Sequence, residues 1–234
     1  MKLFCFPYAG GSALIYSKWR TKLPDAIEVI PVELAGRGTR SGETYYQSFD
    51  ELVSDIGQIV NVRLHHDEPY ALLGFSMGGL VVYEIYKYLV RQGRHTPRHV
   101  FIIAREAPDC DFIRINNLDD EQFVDEIYSY DGMPKAVYEN KELLSYFLPI
   151  IRADFQIHET YRFSGPKQMI ESDMTVFWGA EDRSVIQQGI YGWKDFASGE
   201  CDIFQFHGGH FFIKDYENEI LNMIEGKCLA IIKG

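Results

Sequence analysis

The chain has 234 residues, enough for one α/β domain with at most an inserted subdomain, and 46% of them are hydrophobic, ample for a core. A formal net charge of -11 with no cluster of Lys or Arg argues against nucleic acid and anionic membranes as partners. No run of 18 apolar residues occurs, and Met1-Lys2-Leu3-Phe4 enters a strand directly without a signal segment, so a soluble, cytoplasmic protein is expected. Cys5, Cys110, Cys201 and Cys228 show no C-x-x-C spacing, which predicts buried or idle thiols in place of a disulfide frame or a zinc site.

Segments rich in β-branched and aromatic residues recur at 2–6, 28–34, 71–75, 99–104, 174–178 and 202–206. Amphipathic helical patterns lie between most of them, at about 14–23, 49–64, 79–91 and 216–224. Alternation of this kind, with nearly continuous apolar strands, predicts a parallel sheet covered on both faces. Right-handed crossovers would bring the carboxyl ends of all strands to one rim, where a site can assemble.

The first strand is followed by Phe6-Pro-Tyr-Ala-Gly-Gly-Ser12. Its glycines let main-chain N–H groups point inward as half of an oxyanion hole completed by Met77 N–H; the plainer alternative is a turn leading to a helix capped by Ser12. Glu33-Leu-Ala-Gly-Arg37-Gly38-Thr-Arg40 then sets two arginines on a glycine-rich loop at the same rim. Surface solvation is the default reading for them, and a phosphate of a pantetheine-bearing substrate is the sharper one. His65-His66-Asp67-Glu68 precedes a strand, so it belongs to the opposite rim and reads as a solvated loop, its consecutive side chains being unable to face one metal ion.

The stretch Tyr70-Ala-Leu-Leu-Gly74-Phe-Ser76-Met-Gly78-Gly79 is an uncharged apolar run that stops at a serine boxed by glycines, with helical spacing immediately after it. Strand, tight turn and helix around G-x-S-x-G form a nucleophile elbow, in which strained backbone lifts the Ser76 hydroxyl above the sheet edge. Any Cβ at the flanking glycines would collide with the neighbouring strand and helix.

Between the strands ending near Ala104 and beginning near Met174 the alternation lapses for about seventy residues, longer than a compact domain leaves without function. Helical patterns at 119–128 and 141–154, then a short segment to 161, predict a lid over about 108–165 whose apolar inner face lines an acyl channel. Within it, Arg152-Ala-Asp154 reads as a structural ion pair or cap, with a substrate role as the alternative. The next strand ends in Phe177-Trp-Gly179-Ala-Glu-Asp182, an acid three residues past a strand-ending glycine, and the last ends in Phe206-His207-Gly-Gly-His210-Phe211. Ser76, Asp182 and His210 therefore each follow their own strand, in the chain order of a hydrolase triad. Asp109 and Asp111 are rival acids, and His207, hard against its strand, reads as a hydrogen-bonded structural residue.

Taken together, Phe6-Pro-Tyr-Ala-Gly-Gly-Ser12, Glu33-Leu-Ala-Gly-Arg-Gly38, Gly74-Phe-Ser-Met-Gly-Gly79, Leu148-Pro-Ile-Ile-Arg-Ala-Asp154 and Gly208-Gly-His-Phe-Phe212 resemble the type II thioesterases that accompany nonribosomal peptide and polyketide synthases. The resemblance runs through nearly the whole chain. It implies an α/β-hydrolase fold with a helical lid, and hydrolysis of acyl groups from the phosphopantetheine arm of acyl- or peptidyl-carrier proteins, clearing stalled or misprimed synthases. By position it makes Ser76 the nucleophile, His210 the base, Asp182 its orienting acid, and Ala9 and Met77 the oxyanion donors, with no metal and no cofactor of the protein's own. Tyr8, Arg37, Phe147 and Phe211 are the expected substrate contacts. The partner would bind briefly, and the enzyme would be a monomer. Trp178 departs from the family pattern, where a smaller residue is usual, and the amino-terminal strands of larger hydrolases have no counterpart.

Overall fold

The computed structural model describes residues 1–111 and 113–233. Among these, six strands form one sheet: β1 (Lys2–Phe6), β2 (Glu28–Pro31), β3 (Tyr70–Phe75), β4 (His99–Ile103), β5 (Asp173–Gly179) and β6 (Cys201–Phe206). All pair in parallel, in the order β2-β1-β3-β4-β5-β6. The central strands β1, β3 and β4 are buried along their whole length, which is why their sequences are apolar at nearly every position and not at alternate ones.

Successive side chains divide between two cores. Phe4 and Phe6 point to the face covered by α2 (Phe49–Arg63) and α3 (Met77–Arg91), whereas Leu3 and Cys5 point to the face covered by α1 (Trp19–Lys22) and α8 (Ile213–Lys233). Each large apolar side chain withdrawn in this way contributes about 1.5–3 kcal/mol. α2 begins where Ser48 accepts a hydrogen bond from Glu51 N–H, with Asp50 and Glu51 against the positive end of the helix dipole. The strand order reverses at β1, which has β2 on one side and β3 on the other. Chains leaving β1 and β3 therefore depart to opposite faces and open a crevice at the carboxyl ends of the two strands.

The stretch between β4 and β5 holds α4 (Asp120–Ser129), α5 (Lys135–Tyr138) and α6 (Lys141–Thr160), packed about a core of its own that includes Phe123, Ile127, Met133 and Ile151. α6 is one helix where the pattern predicted a helix to 154 and a separate segment: Pro149 faces solvent, and the half after it is anchored by Ile150, Ile151, Asp154 and Ile157. The single helix expected over 14–23 is instead a 3₁₀ turn at Ala13–Tyr16 followed by α1. Two buried aromatics anchor the two pieces, with Tyr16 Oη donating to Phe6 O (2.8 Å) and Trp19 Nε1 to Glu217 Oε1 (2.9 Å). β2 stops at Pro31 and not Leu34, because this edge strand leaves the ladder to bury Leu34 and Ala35 beside α2. A short helix not anticipated, α7 (Gln187–Tyr191), follows β5.

Candidate active site

Ser76 is the junction of β3 and α3, with φ +53° and ψ -118°, a combination that L side chains rarely adopt. Its N–H donates to Ile103 O (2.8 Å), tying the turn to β4. The glycines on either side are required by contact: a Cβ on Gly74 would stand 2.1 Å from Gly78 O, and one on Gly78 would stand 2.2 Å from Phe6 O. The serine side chain opens into a cavity of about 90 Å³ that also receives His210, Tyr8, Phe155 and Phe211.

His210, on the loop after β6, places Nδ1 2.7 Å from Asp182 Oδ2, on the loop after β5. The other carboxylate oxygen accepts from Ser184 Oγ (2.6 Å) and Ser184 N–H (2.9 Å), and Ser184 Oγ also lies 2.9 Å from His210 Nδ1. Burial by itself would raise the Asp182 carboxyl, but the hydrogen bonds from His210 and Ser184 outweigh it, so the group is held below the ordinary carboxylate value and stays ionised. With Nδ1 engaged, Nε2 is the nitrogen left for the cavity. Among the described residues no hydrogen bond joins Ser76 Oγ to the imidazole, a looseness common in hydrolases before substrate is bound. The imidazole packs on Phe75 (centroids 5.6 Å) and Phe211 (5.2 Å), and Tyr8 stands edge-on to both phenylalanines.

Ala9 and Met77 both line the cavity. Met77 is the first residue of α3, so its N–H has no carbonyl one turn back in the helix. The Ala9 N–H likewise makes no hydrogen bond among the described residues. Phe147 is elsewhere: it lines a second groove of about 320 Å³ that meets the first cavity at Tyr8, Ala9 and Gly132.

Arg37 corrects the sequence reading. It is 3% exposed, and its guanidinium is spent on Asp154 (Nη2 to Oδ1 2.6 Å, and Nη1 to Oδ2) and on Gly11 O (3.1 Å), so it neither faces solvent nor offers a phosphate a free fork. Asp154 accordingly does not pair with Arg152, which binds Asp120 (2.7 Å) and the carbonyls of Asn116 and Leu118. Arg40 is held by Asp55 (2.8 Å) and Glu43. His207 was expected to be hydrogen-bonded and structural, yet its side chain is 91% exposed, with Glu181 3.7 Å away. Asp109 pairs with Lys167 (3.1 Å) and Asp111 is exposed, neither touching His210. His65, His66 and Asp67 are exposed as expected, and no cluster of three metal-ligating side chains exists among the described residues.

Sequence reasoning missed three polar residues at the site. Ser184, two positions beyond Asp182, closes a local turn on that carboxylate, a spacing that Asp-x-Ser advertises. Arg105 and His158 line the cavity with Nη1 2.8 Å from Nε2; since arginine only donates, His158 Nε2 accepts and the ring carries its proton on Nδ1. Burial, then the charges of Arg105 and His210, hold His158 well below the usual histidine value. Two charges directly after an apolar strand, Arg105 and Glu106, were the available signal; a lone histidine inside α6 was none.

Comparison with known proteins bears on this geometry. The description of the thioesterase domain matches residues 1–228. The chain belongs to the thioesterase family. This thioesterase is 33% identical over 230 residues to the gramicidin S biosynthesis protein GrsT of Aneurinibacillus migulanus, covering 97% of the chain and 88% of that protein. It is 34% identical over 241 residues to the medium-chain S-acyl fatty acid synthase thioesterase of Rattus norvegicus, covering 98% and 88%. Among solved structures, ClbQ from the colibactin NRPS/PKS pathway superposes with a TM-score of 0.92 at 31% identity, covering 100% of the thioesterase and 99% of ClbQ. The sheet flanked by helices is thus the α/β-hydrolase arrangement of its thioesterase neighbours, and the enzyme is a thioester hydrolase. No helix among its described residues is long and apolar enough to cross a membrane.

Proposed function

We propose that this enzyme is a type II thioesterase that uses Ser76, His210 and Asp182 to release acyl groups from the phosphopantetheine arm of carrier proteins in a nonribosomal peptide or polyketide pathway. The observation that carries the reading is the convergence of a strained serine and a carboxylate-held imidazole on one apolar cavity. Similarity to GrsT and to ClbQ supports the pathway, and the length of the match supports a whole-chain equivalence.

In the cycle, Ser76 Oγ attacks the thioester carbonyl while His210 Nε2 takes the hydroxyl proton and Asp182 holds the imidazole tautomer. The carbonyl oxygen becomes an oxyanion facing Ala9 and Met77 N–H, donors worth about 3 kcal/mol each in comparable enzymes. Collapse breaks the C–S bond, and His210 returns its proton to the departing pantetheine sulfur. Water then attacks the acyl-serine, giving a proton to His210, which passes it to Ser76 Oγ as the bond between that oxygen and the acyl carbon breaks and the free acid leaves. Every group used belongs to the protein or to water. The acyl chain lies in the cavity with Phe155 and Phe211, and the insert carrying α4 to α6 serves as its lid. A net charge of -11 gives an acidic carrier no long-range attraction, so the encounter is brief, and the enzyme works as a monomer in the cytoplasm.

Purified carrier protein loaded with an acyl-phosphopantetheine group tests this directly. Release of free acid by the wild type and none by Ser76→Ala is the expected result. Hydrolysis of simple esters with carrier thioesters untouched would make the enzyme a carboxylesterase. Because identity to the medium-chain fatty acid synthase thioesterase is equally high, a fatty-acid carrier belongs beside a peptide-synthase carrier in the same assay, and preference for the former would move the enzyme to lipid synthesis.

A further inference from the structure

The turn that presents Ala9 is gripped by a single buried ion pair. Gly11 N–H donates to Tyr8 O (2.8 Å), closing a four-residue turn whose third residue, Gly10, has φ +79°, the requirement of a type II turn. Asp154 Oδ2 accepts the Gly10 N–H at 2.7 Å, and Arg37 Nη1 donates to Gly11 O at 3.1 Å. The same two side chains are joined to each other in a bidentate fork, and they are 4% and 2% exposed. One turn before Asp154 on α6, Ile151 abuts the glycine so closely that a Cβ on Gly10 would lie 2.6 Å from Ile151 Cγ1. Rotation of the Ala9–Gly10 peptide would cost the bond to Asp154 and drive the turn against α6.

Stability alone is a poor account of this arrangement. Desolvating two charges commonly cancels their attraction, and an apolar pair of similar volume does as well or better. Here Arg37 Nε is also buried without a partner among the described residues, while the pair spends two further hydrogen bonds on the backbone of the turn, at Gly10 N–H and Gly11 O. We infer that Arg37 and Asp154 are positioning residues for the thioesterase reaction: they lock the turn so that Ala9 N–H faces the oxyanion, and they couple that donor to α6. The inference rests on Ala9 being an oxyanion donor, as proposed above.

The test compares two charge-free double variants of the full chain, Arg37→Met with Asp154→Leu and Arg37→Met with Asp154→Asn. Both remove the ion pair without leaving a lone buried charge, but only the asparagine keeps an oxygen for Gly10 N–H. With an acyl N-acetylcysteamine thioester, the leucine variant should lose about a hundredfold in kcat with KM within about threefold, the range seen when an oxyanion donor is lost, and the asparagine variant should regain at least about tenfold. A boronic acid, which forms a tetrahedral adduct with Ser76, should bind the leucine variant about a hundredfold more weakly, whereas a thioether analogue of the substrate should bind as to wild type. Wild-type kcat in the leucine variant, no difference between leucine and asparagine, or equal losses for boronate and thioether would each overturn the proposal. Should the leucine variant not fold, Arg37→Lys decides: it keeps the charge but loses the fork to Asp154 and the bond from Nη1 to Gly11 O, so kcat should drop about fivefold or more at constant KM, and wild-type kcat would sink the idea. Absence of fluorophosphonate labelling of Ser76 in the wild type overturns the parent reading and this one with it; equal labelling rates in wild type and the leucine variant overturn only this one.

Discussion

Asp182 Oδ2 and His210 Nδ1 stand 2.7 Å apart although they leave different strands, and the second oxygen of that carboxylate is occupied by Ser184. The imidazole is therefore oriented by a group that is itself oriented. We predict that Ser184→Ala lowers kcat by about tenfold with KM unchanged, since the carboxylate gains freedom to rotate while substrate contacts persist. Steady-state kinetics on a soluble thioester reads this, and an unchanged kcat would show that Asp182 needs no such brace.

The rival acids are separated by the same measurement. Asp182→Asn should cost roughly 10³ to 10⁴ in kcat by favouring the wrong histidine tautomer. Asp109→Asn, which loses only a half-exposed pairing with Lys167, should stay within about twofold. A large loss from the second substitution would shift the acid to the loop after β4.

Ser76 holds φ +53° against the preference of any residue with a Cβ. Ser76→Gly should accordingly raise the free energy of unfolding by about 1 kcal/mol while abolishing turnover. Urea melts at neutral pH check the gain, and a loss of stability would mean that the elbow carries no strain worth relieving.

His99 begins β4 with its ring buried, its Nε2 2.9 Å from Thr175 Oγ1 and its face 4.4 Å from Phe101. Burial, reinforced by the charge of Lys227 and opposed by Asp173 and Asp202, brings the imidazole down to about 4 from an ordinary 6.5. Between those values the unfolded chain binds a proton that the folded one refuses, so stability is fully present above pH 6.5 and lost as the pH falls towards 4. The loss amounts to about 3 kcal/mol from this group. His99→Gln, which retains a partner for Thr175, should flatten that part of the profile; a parallel profile in chemical denaturation at pH 7 and pH 4.5 would refute the assignment.

Much was legible before any geometry. Strand, tight turn and helix around Ser76 are local events, governed by apolar runs and by glycines whose missing Cβ atoms a neighbour requires, and local rules reach that far. The same holds for the alternation that implied a parallel sheet, and for the strand ends that set Asp182 and His210 on one rim. The reading failed where the outcome depended on a distant partner. Arg37 looked like a solvated rim residue because solvation is the default for an arginine on a glycine-rich loop, and its partner Asp154 lies more than a hundred residues away on a helix whose orientation no spacing encodes. Arg152 and Asp154 looked paired for the complementary reason, being near in sequence yet facing different neighbours on α6.

The order of residues thus determined which chemistry this protein carries, since hydroxyl, imidazole and carboxylate each follow a strand and parallel topology sends strand ends to one side. Tertiary structure alone decided how that chemistry is aimed: which carboxylate meets the imidazole, which charges are buried together, and which helix grips the turn at Ala9. Those are contacts between segments that local pattern leaves independent, and they are settled only when burial obliges each polar group to find a partner within hydrogen-bonding distance.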